Sequence, residues 1–183
     1  TIMSQYVNSQ NELLLVKLME YYKQDDNLQK MLSIINGESQ ISLRIVDWFS
    51  TNYAKKNYTV YPLTNGSRFK VYNDYKLKLK AYSKKRFDPF CRWQRITIPY
   101  GDDGLFIETT IGQLNFFKWA LENEVIDYIK NNYKQIEVDM NTRNSNSKKR
   151  DEITINRKKR EELSVSAIKT IKKEEVEIVV KFN

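Results

Sequence analysis

Histidine is absent from these 183 residues, and that absence excludes more chemistry than any other feature of the sequence. Without imidazole there is no Ser-His-Asp or Cys-His nucleophile, no histidine general base and no mixed His/Cys zinc site. Cysteine occurs once, at Cys91, which rules out an intrachain disulfide and a CxxC metal clip and suits a reducing compartment. No stretch approaches 18 consecutive apolar residues, and the first twelve lack a basic segment followed by an apolar one. Neither a spanning helix nor a signal peptide is expected, so a soluble protein made in the cytoplasm is. What is present is ordinary for a globular chain: 40% hydrophobic and 30% charged, with 13% aromatic, too rich for wholesale disorder. The length fits one domain, or a domain with a tail, and suffices to bury a core. Lysine and arginine number 31 against 23 acidic residues, and the resulting net charge of +8 favours polyanionic partners.

Apolar residues from Ser9 to about Ile35 recur at helical spacing around a polar break at Gln24-Asp25-Asp26, predicting two helices or one kinked helix ending at Asn36-Gly37. Ser42 is placed to cap a further helix over Ile41 to Lys56, although its β-branched and aromatic content also suits a strand. Asn65-Gly66 between two β-prone runs predicts a hairpin, and Gly101-Asp102-Asp103-Gly104 predicts a second between Arg95–Tyr100 and Leu105–Thr109. Between the hairpins, Tyr75 to Lys85 fits helix and strand about equally, with Asp74 as a possible cap. Thr110 and Gln113 form a capping-box pattern, and the helix they open, to about Asn131, is expected to be the most buried. From Asn141 the composition turns to Asn, Ser, Lys and Arg, and residues 141–162 are expected to form a mobile basic linker or arm after a globular unit over 1–140. Residues 163–183 read as a C-terminal β-hairpin packed on that unit. The sum is an α+β fold: a single domain with helices packed on a mostly antiparallel sheet.

The positive charge is concentrated. Ten Lys/Arg fall between Arg68 and Arg95 against Asp74 and Asp88, and eight between Arg143 and Arg160 against Asp151 and Glu152, leaving the rest of the chain net negative. Such clustering is the footprint expected of a nucleic-acid-binding surface. The first cluster interleaves aromatic residues, among them Phe69, Tyr72, Tyr75, Tyr82, Phe87, Phe90 and Trp93. Rings stacking on bases beside cations that neutralise phosphates describe a single-strand groove, while the same rings suit a hydrophobic core with the lysines on its solvated face. Candidate binding residues here are Arg68, Lys70, Lys84, Lys85, Arg86, Arg92, Trp93 and Arg95. The second cluster, Lys148, Lys149 and Arg150 followed by Arg157, Lys158, Lys159 and Arg160, has the form of a polyanion-binding or bipartite nuclear-localisation arm.

Three smaller features carry chemistry in principle. Tyr100-Gly101-Asp102-Asp103 resembles the metal-binding hairpin of RNA-dependent polymerases, and Asp102 and Asp103 are weak candidates for a Mg²⁺ site. No companion strand motif accompanies them, and Gly and Asp are what a hairpin turn needs, so a structural turn is the preferred reading. Around Pro89 a bend is expected, with Asp88 between Arg86 and Arg92 anchoring it by a charge-assisted hydrogen bond and Cys91 beside it as a small buried hydrophobe.

Ser42 to Phe49, the Arg86 to Trp93 bend and Thr109 to Ala120 together resemble a family of small uncharacterised proteins from nucleocytoplasmic large DNA viruses, the giant-virus group. The resemblance runs from about Ile41 to Asn132. It implies a setting: host cytoplasm, viral factory or virion, with nuclear entry open to a chain carrying such an arm. It brings no catalytic residue and no cofactor. The leading expectation is a non-enzymatic module that binds DNA or RNA through clustered basic and aromatic residues. A virion structural or minor capsid protein touching other virion proteins is the alternative, and a small metal-dependent enzyme using the Asp-Asp hairpin the third. Oligomeric state is not legible, and no membrane insertion is expected.

Overall fold

Helix α7 (Ile111–Glu122) is the axis around which the other elements pack, since from Ile111 to Phe117 every residue is buried. Its start is set by Thr110, whose hydroxyl oxygen accepts the Gln113 backbone N–H at 3.1 Å. The reciprocal half of the expected capping box is replaced by a contact one residue earlier, in which the Thr109 hydroxyl donates to Gln113 Oε1 at 2.9 Å. In this computed structural model residues 2–93, 95–100 and 104–151 are described.

Two N-terminal helices, α1 (Ile2–Lys23) and α2 (Asn27–Ile35), are separated at the predicted polar break, where Asp25 takes a left-handed backbone at φ 49°. Leu15, Leu18, Met19 and Tyr22 seat α1 on the core, and the Tyr22 hydroxyl donates to the Leu114 carbonyl. Burial drives the Tyr22 phenol well above its ordinary pKa, so it stays a protonated donor. Ser42 caps α3 (Leu43–Trp48) through its hydroxyl oxygen and the Ile45 N–H. The helix then loosens into a π-helical segment, Phe49–Tyr53, before a last turn, α4 (Ala54–Asn57). Helical structure here resolves the helix-or-strand ambiguity, because Ile45, Val46 and Phe49 are buried at helical spacing.

Strands β1 (Val60–Pro62) and β2 (Arg68–Lys70) form the Asn65-Gly66 hairpin in antiparallel register, Tyr61 opposite Phe69. Gly66 supplies the positive φ of the turn, 88°. Helices α5 (Val71–Tyr82) and α6 (Lys84–Phe87) follow, so the ambiguous basic segment is helical and broken at Ser83. Asp74 does not cap α5: the helix begins three residues earlier, and Asp74 instead accepts the Trp119 indole N–H at 2.6 Å. Strands β3 (Arg95–Tyr100) and β4 (Leu105–Thr110) pair antiparallel, Ile98 opposite Ile107, and run directly into α7. The predicted long helix to Asn131 is interrupted at Glu124, φ 56°, where α8 (Val125–Asn131) departs.

The class is α+β, as expected, with the strands in two separate two-stranded sheets and helices supplying most of the core. A ring cluster of Phe69, Tyr75, Phe87, Phe116 and Trp119 fills its centre, with centroid separations of 5.6 to 6.1 Å among contacting pairs. Phe69, Tyr75 and Phe87 are therefore core side chains, which removes them as base-stacking rings. Over the first residues of the expected arm the backbone is helical: α9 (Tyr133–Asp151) passes through residue 141 without a break, with Ile136 and Met140 buried in its first half. The remainder of the arm and the C-terminal hairpin expected over 163–183 lie outside the described residues, as do Asp102 and Asp103. Among the described residues no helix is long and apolar enough to cross a membrane.

Candidate functional site

A cleft of about 680 Å³ opens where the π-helical segment, α4, the first hairpin, the start of α5 and α9 meet. Among the described residues four cations line it, Lys55 and Lys56 from α4, Lys70 from β2 and Arg143 from α9, and no carboxylate does. Their convergence follows from local chain geometry. The extra residue of the π-helical segment, whose Ala54 N–H bonds back to the Phe49 carbonyl, carries the chain into the Lys55-Lys56 turn. That turn ends at Tyr58 in the left-handed region, φ 48° and ψ 49°, and the reversal sends β1 back alongside β2. Lys70 lies opposite Val60 in the hairpin register, and the Val71 N–H closes on the Thr59 carbonyl at 3.2 Å. Tyr72, on the first turn of α5, brings its ring to the wall.

Helix α9 is tied to the α4 side through Asp139, which lies behind the cleft lining and accepts from Trp48 Nε1 at 3.0 Å and from Lys56 Nζ at 3.1 Å. Burial pushes the Asp139 carboxyl up, but those two hydrogen bonds and the charges of Lys56 and Arg143 outweigh it and hold its pKa below the usual range. It therefore stays ionised and fixes Lys56. The Arg143 guanidinium lies 5.8 Å from the centre of the Trp48 ring, and the ammonium groups of Lys55 and Lys76 lie 5.6 and 5.2 Å from that of Tyr72. Rings thus steer three cations of this surface. A shallower groove shares Asn73 with the cleft and carries Lys76 and Lys80 along α5, extending the positive surface.

The sequence-derived candidates are distributed unevenly about this site. Lys70 lines the cleft, and Arg68, exposed, precedes it by two residues on β2. Lys84, Lys85 and Arg86 fall on α6, away from the cleft lining; Lys85 Nζ sits 5.1 Å over the Trp93 ring, whose residue is 39% exposed. Arg92 is exposed, and Arg95 pairs with Glu108 across the second hairpin at 3.3 Å. Lys148, Lys149 and Arg150 stand on the last turns of α9, while Arg157, Lys158, Lys159 and Arg160 lie outside the described residues. Asp88 does anchor the bend, its Oδ1 accepting the Phe90 N–H at 2.9 Å. Cys91 is half-buried, not the buried hydrophobe expected, because the chain leaves the core just after Phe90.

Lys55 and Lys56 escaped the charge clusters because they follow an apolar helix rather than a basic run. The signal that identifies them is the adjacent Lys-Lys pair at a helix C-terminus followed by Asn57-Tyr58, where cations and a left-handed residue both belong.

The match to known families covers residues 1–183 and is to DUF7197, a family of unknown function. The chain belongs to this family. An uncharacterized protein of Acanthamoeba polyphaga mimivirus is 50% identical over 117 residues, which are 60% of this chain and 45% of that relative. The DUF7197 chain therefore spans under half the length of the mimivirus relative it matches, and the resemblance to an uncharacterised giant-virus family stands. No solved structure matches.

Proposed function

We propose that this DUF7197 chain is a non-enzymatic nucleic-acid-binding module whose phosphate-binding surface centres on the cleft between α4, the first hairpin and α9. The observation that carries the reading is the convergence of Lys55, Lys56, Lys70 and Arg143, from three separate elements, on one cleft whose lining among the described residues holds no carboxylate. Cations gathered this way create a local potential that favours a polyanion and neutralise phosphates on contact. The overall charge of +8 adds long-range attraction. Fluorescence anisotropy with a labelled 20-nucleotide oligomer at low salt tests it. The full chain is expected to bind saturably. The combined Lys55→Ser, Lys56→Ser, Lys70→Ser and Arg143→Ser variant should bind at least about tenfold more weakly while remaining folded, with only a modest fall in melting temperature from loss of the exposed Lys56–Asp139 pair. Absence of binding by the intact chain would overturn the reading in favour of a structural role in the virion.

A further inference from the structure

Tyr58 is 87% exposed, the most exposed of the large hydrophobic side chains, and it lines the cationic cleft. It occupies the residue just past a helix end in the left-handed region, φ 48° and ψ 49°, where glycine or asparagine is at ease and a tyrosine is strained. Among the described residues it makes none of the ring or cation contacts that engage the other aromatic side chains nearby, namely Tyr53, Tyr61 and Tyr72. A bulky ring that buries almost nothing, held in a conformation that costs free energy, gives the fold no return. Its position beside Lys55, Lys56 and Lys70 supplies a reason, since a free aromatic face next to phosphate-binding cations is the pairing that holds an unstacked base.

Building on the proposed nucleic-acid reading, we infer that the cleft takes single-stranded nucleic acid, with a base stacked on the Tyr58 ring and the flanking phosphates on Lys55, Lys56, Lys70 and Arg143. The volume, about 680 Å³, lies within the range of small-ligand pockets and accommodates one nucleotide rather than a duplex. The Tyr72 ring is a poorer platform because two ammonium groups already stand over it. The adjoining groove at Asn73, Lys76 and Lys80 gives the strand a continuation along α5. Stacking is tolerant of base identity, so the site discriminates strandedness more than sequence.

The test compares Tyr58→Asn with the unaltered full chain against four probes of equal length: oligo-dT, oligo-U, an abasic oligomer and a duplex. Relief of the left-handed strain should make Tyr58→Asn at least as heat-stable as the parent. Loss of the ring should weaken oligo-dT or oligo-U binding by about 5- to 150-fold, the range of one base–aromatic stack. Abasic and duplex binding should stay within twofold, and Tyr58→Trp should restore single-strand affinity. Equal affinity of Tyr58→Asn and parent for the single strands, or a parent preference for duplex, would overturn the inference while leaving the nucleic-acid reading standing. No binding to any probe would overturn both.

Discussion

Asp139 accepts hydrogen bonds from the Trp48 indole and the Lys56 ammonium and joins α9 to the cleft wall. Its pKa is lowered in the folded chain, so its stabilising contribution is complete above the unfolded carboxylate range near ~4 and is lost as pH falls through the lower folded value. In urea titrations Asp139→Asn should be less stable than the parent at neutral pH, and the gap should narrow progressively as the pH is lowered below the ordinary carboxylate range near ~4. A gap that is constant with pH would show that the carboxylate charge is not what matters there. Two core positions give larger effects. Trp119 is 3% exposed, packs against the rings of Phe69, Tyr75, Phe87 and Phe116 and donates to Asp74, so Trp119→Ala should cost about 3 to 5 kcal/mol in denaturant unfolding. Gly112 is where α7 touches the α6 bend: a Cβ there would stand 2.6 Å from the Asp88 carbonyl oxygen and 3.2 Å from that of Lys85. Both obstacles are backbone, so Gly112→Ala should destabilise by about 1 to 3 kcal/mol despite the better helix propensity of alanine.

Elements whose signals were local were legible in the sequence, and those set by tertiary contact were not. Ser42 and Thr110 cap their helices through the expected hydroxyl oxygens, and Asn65-Gly66 turns its hairpin, because each depends only on residues within a few positions. The π-helical segment at Phe49–Tyr53 has no such signature, and with it the direction in which Lys55 and Lys56 leave the helix was hidden. The same holds for α9. From Asn141 to Ser147 it has no buried residue and mostly poor helix formers, yet its first half, anchored by Ile136, propagates helix into the second. That continuation is what carries Arg143 to the cleft, since a residue on a free arm would have no fixed position. Thr142→Pro distinguishes the two situations: in a docked helix it removes a backbone hydrogen bond and clashes one turn back, at a cost of about 3 kcal/mol. Circular dichroism should record lost helicity and oligonucleotide affinity should fall; on a mobile arm neither would change.

Across the whole molecule, the two basic clusters visible in the sequence do not coincide with the site. The cleft draws Lys70 from the first cluster and Arg143 from the leading end of the second, and adds Lys55 and Lys56, which belong to neither. Two of the other cations in the first cluster engage other partners, Lys85 over Trp93 and Arg95 with Glu108. Charge summed over a stretch of chain reports attraction at a distance, whereas a site requires charges from separate elements brought to one place. The central claim, that these four cations neutralise phosphates, is tested most directly by the salt dependence of single-strand binding. Each phosphate contact contributes about −0.7 to the slope of log K against log salt. The Lys55→Ser, Lys56→Ser, Lys70→Ser and Arg143→Ser variant should therefore bind with a slope about 2 to 3 units shallower than the parent, whereas an unchanged slope would contradict the assignment of the cleft as the phosphate-binding site.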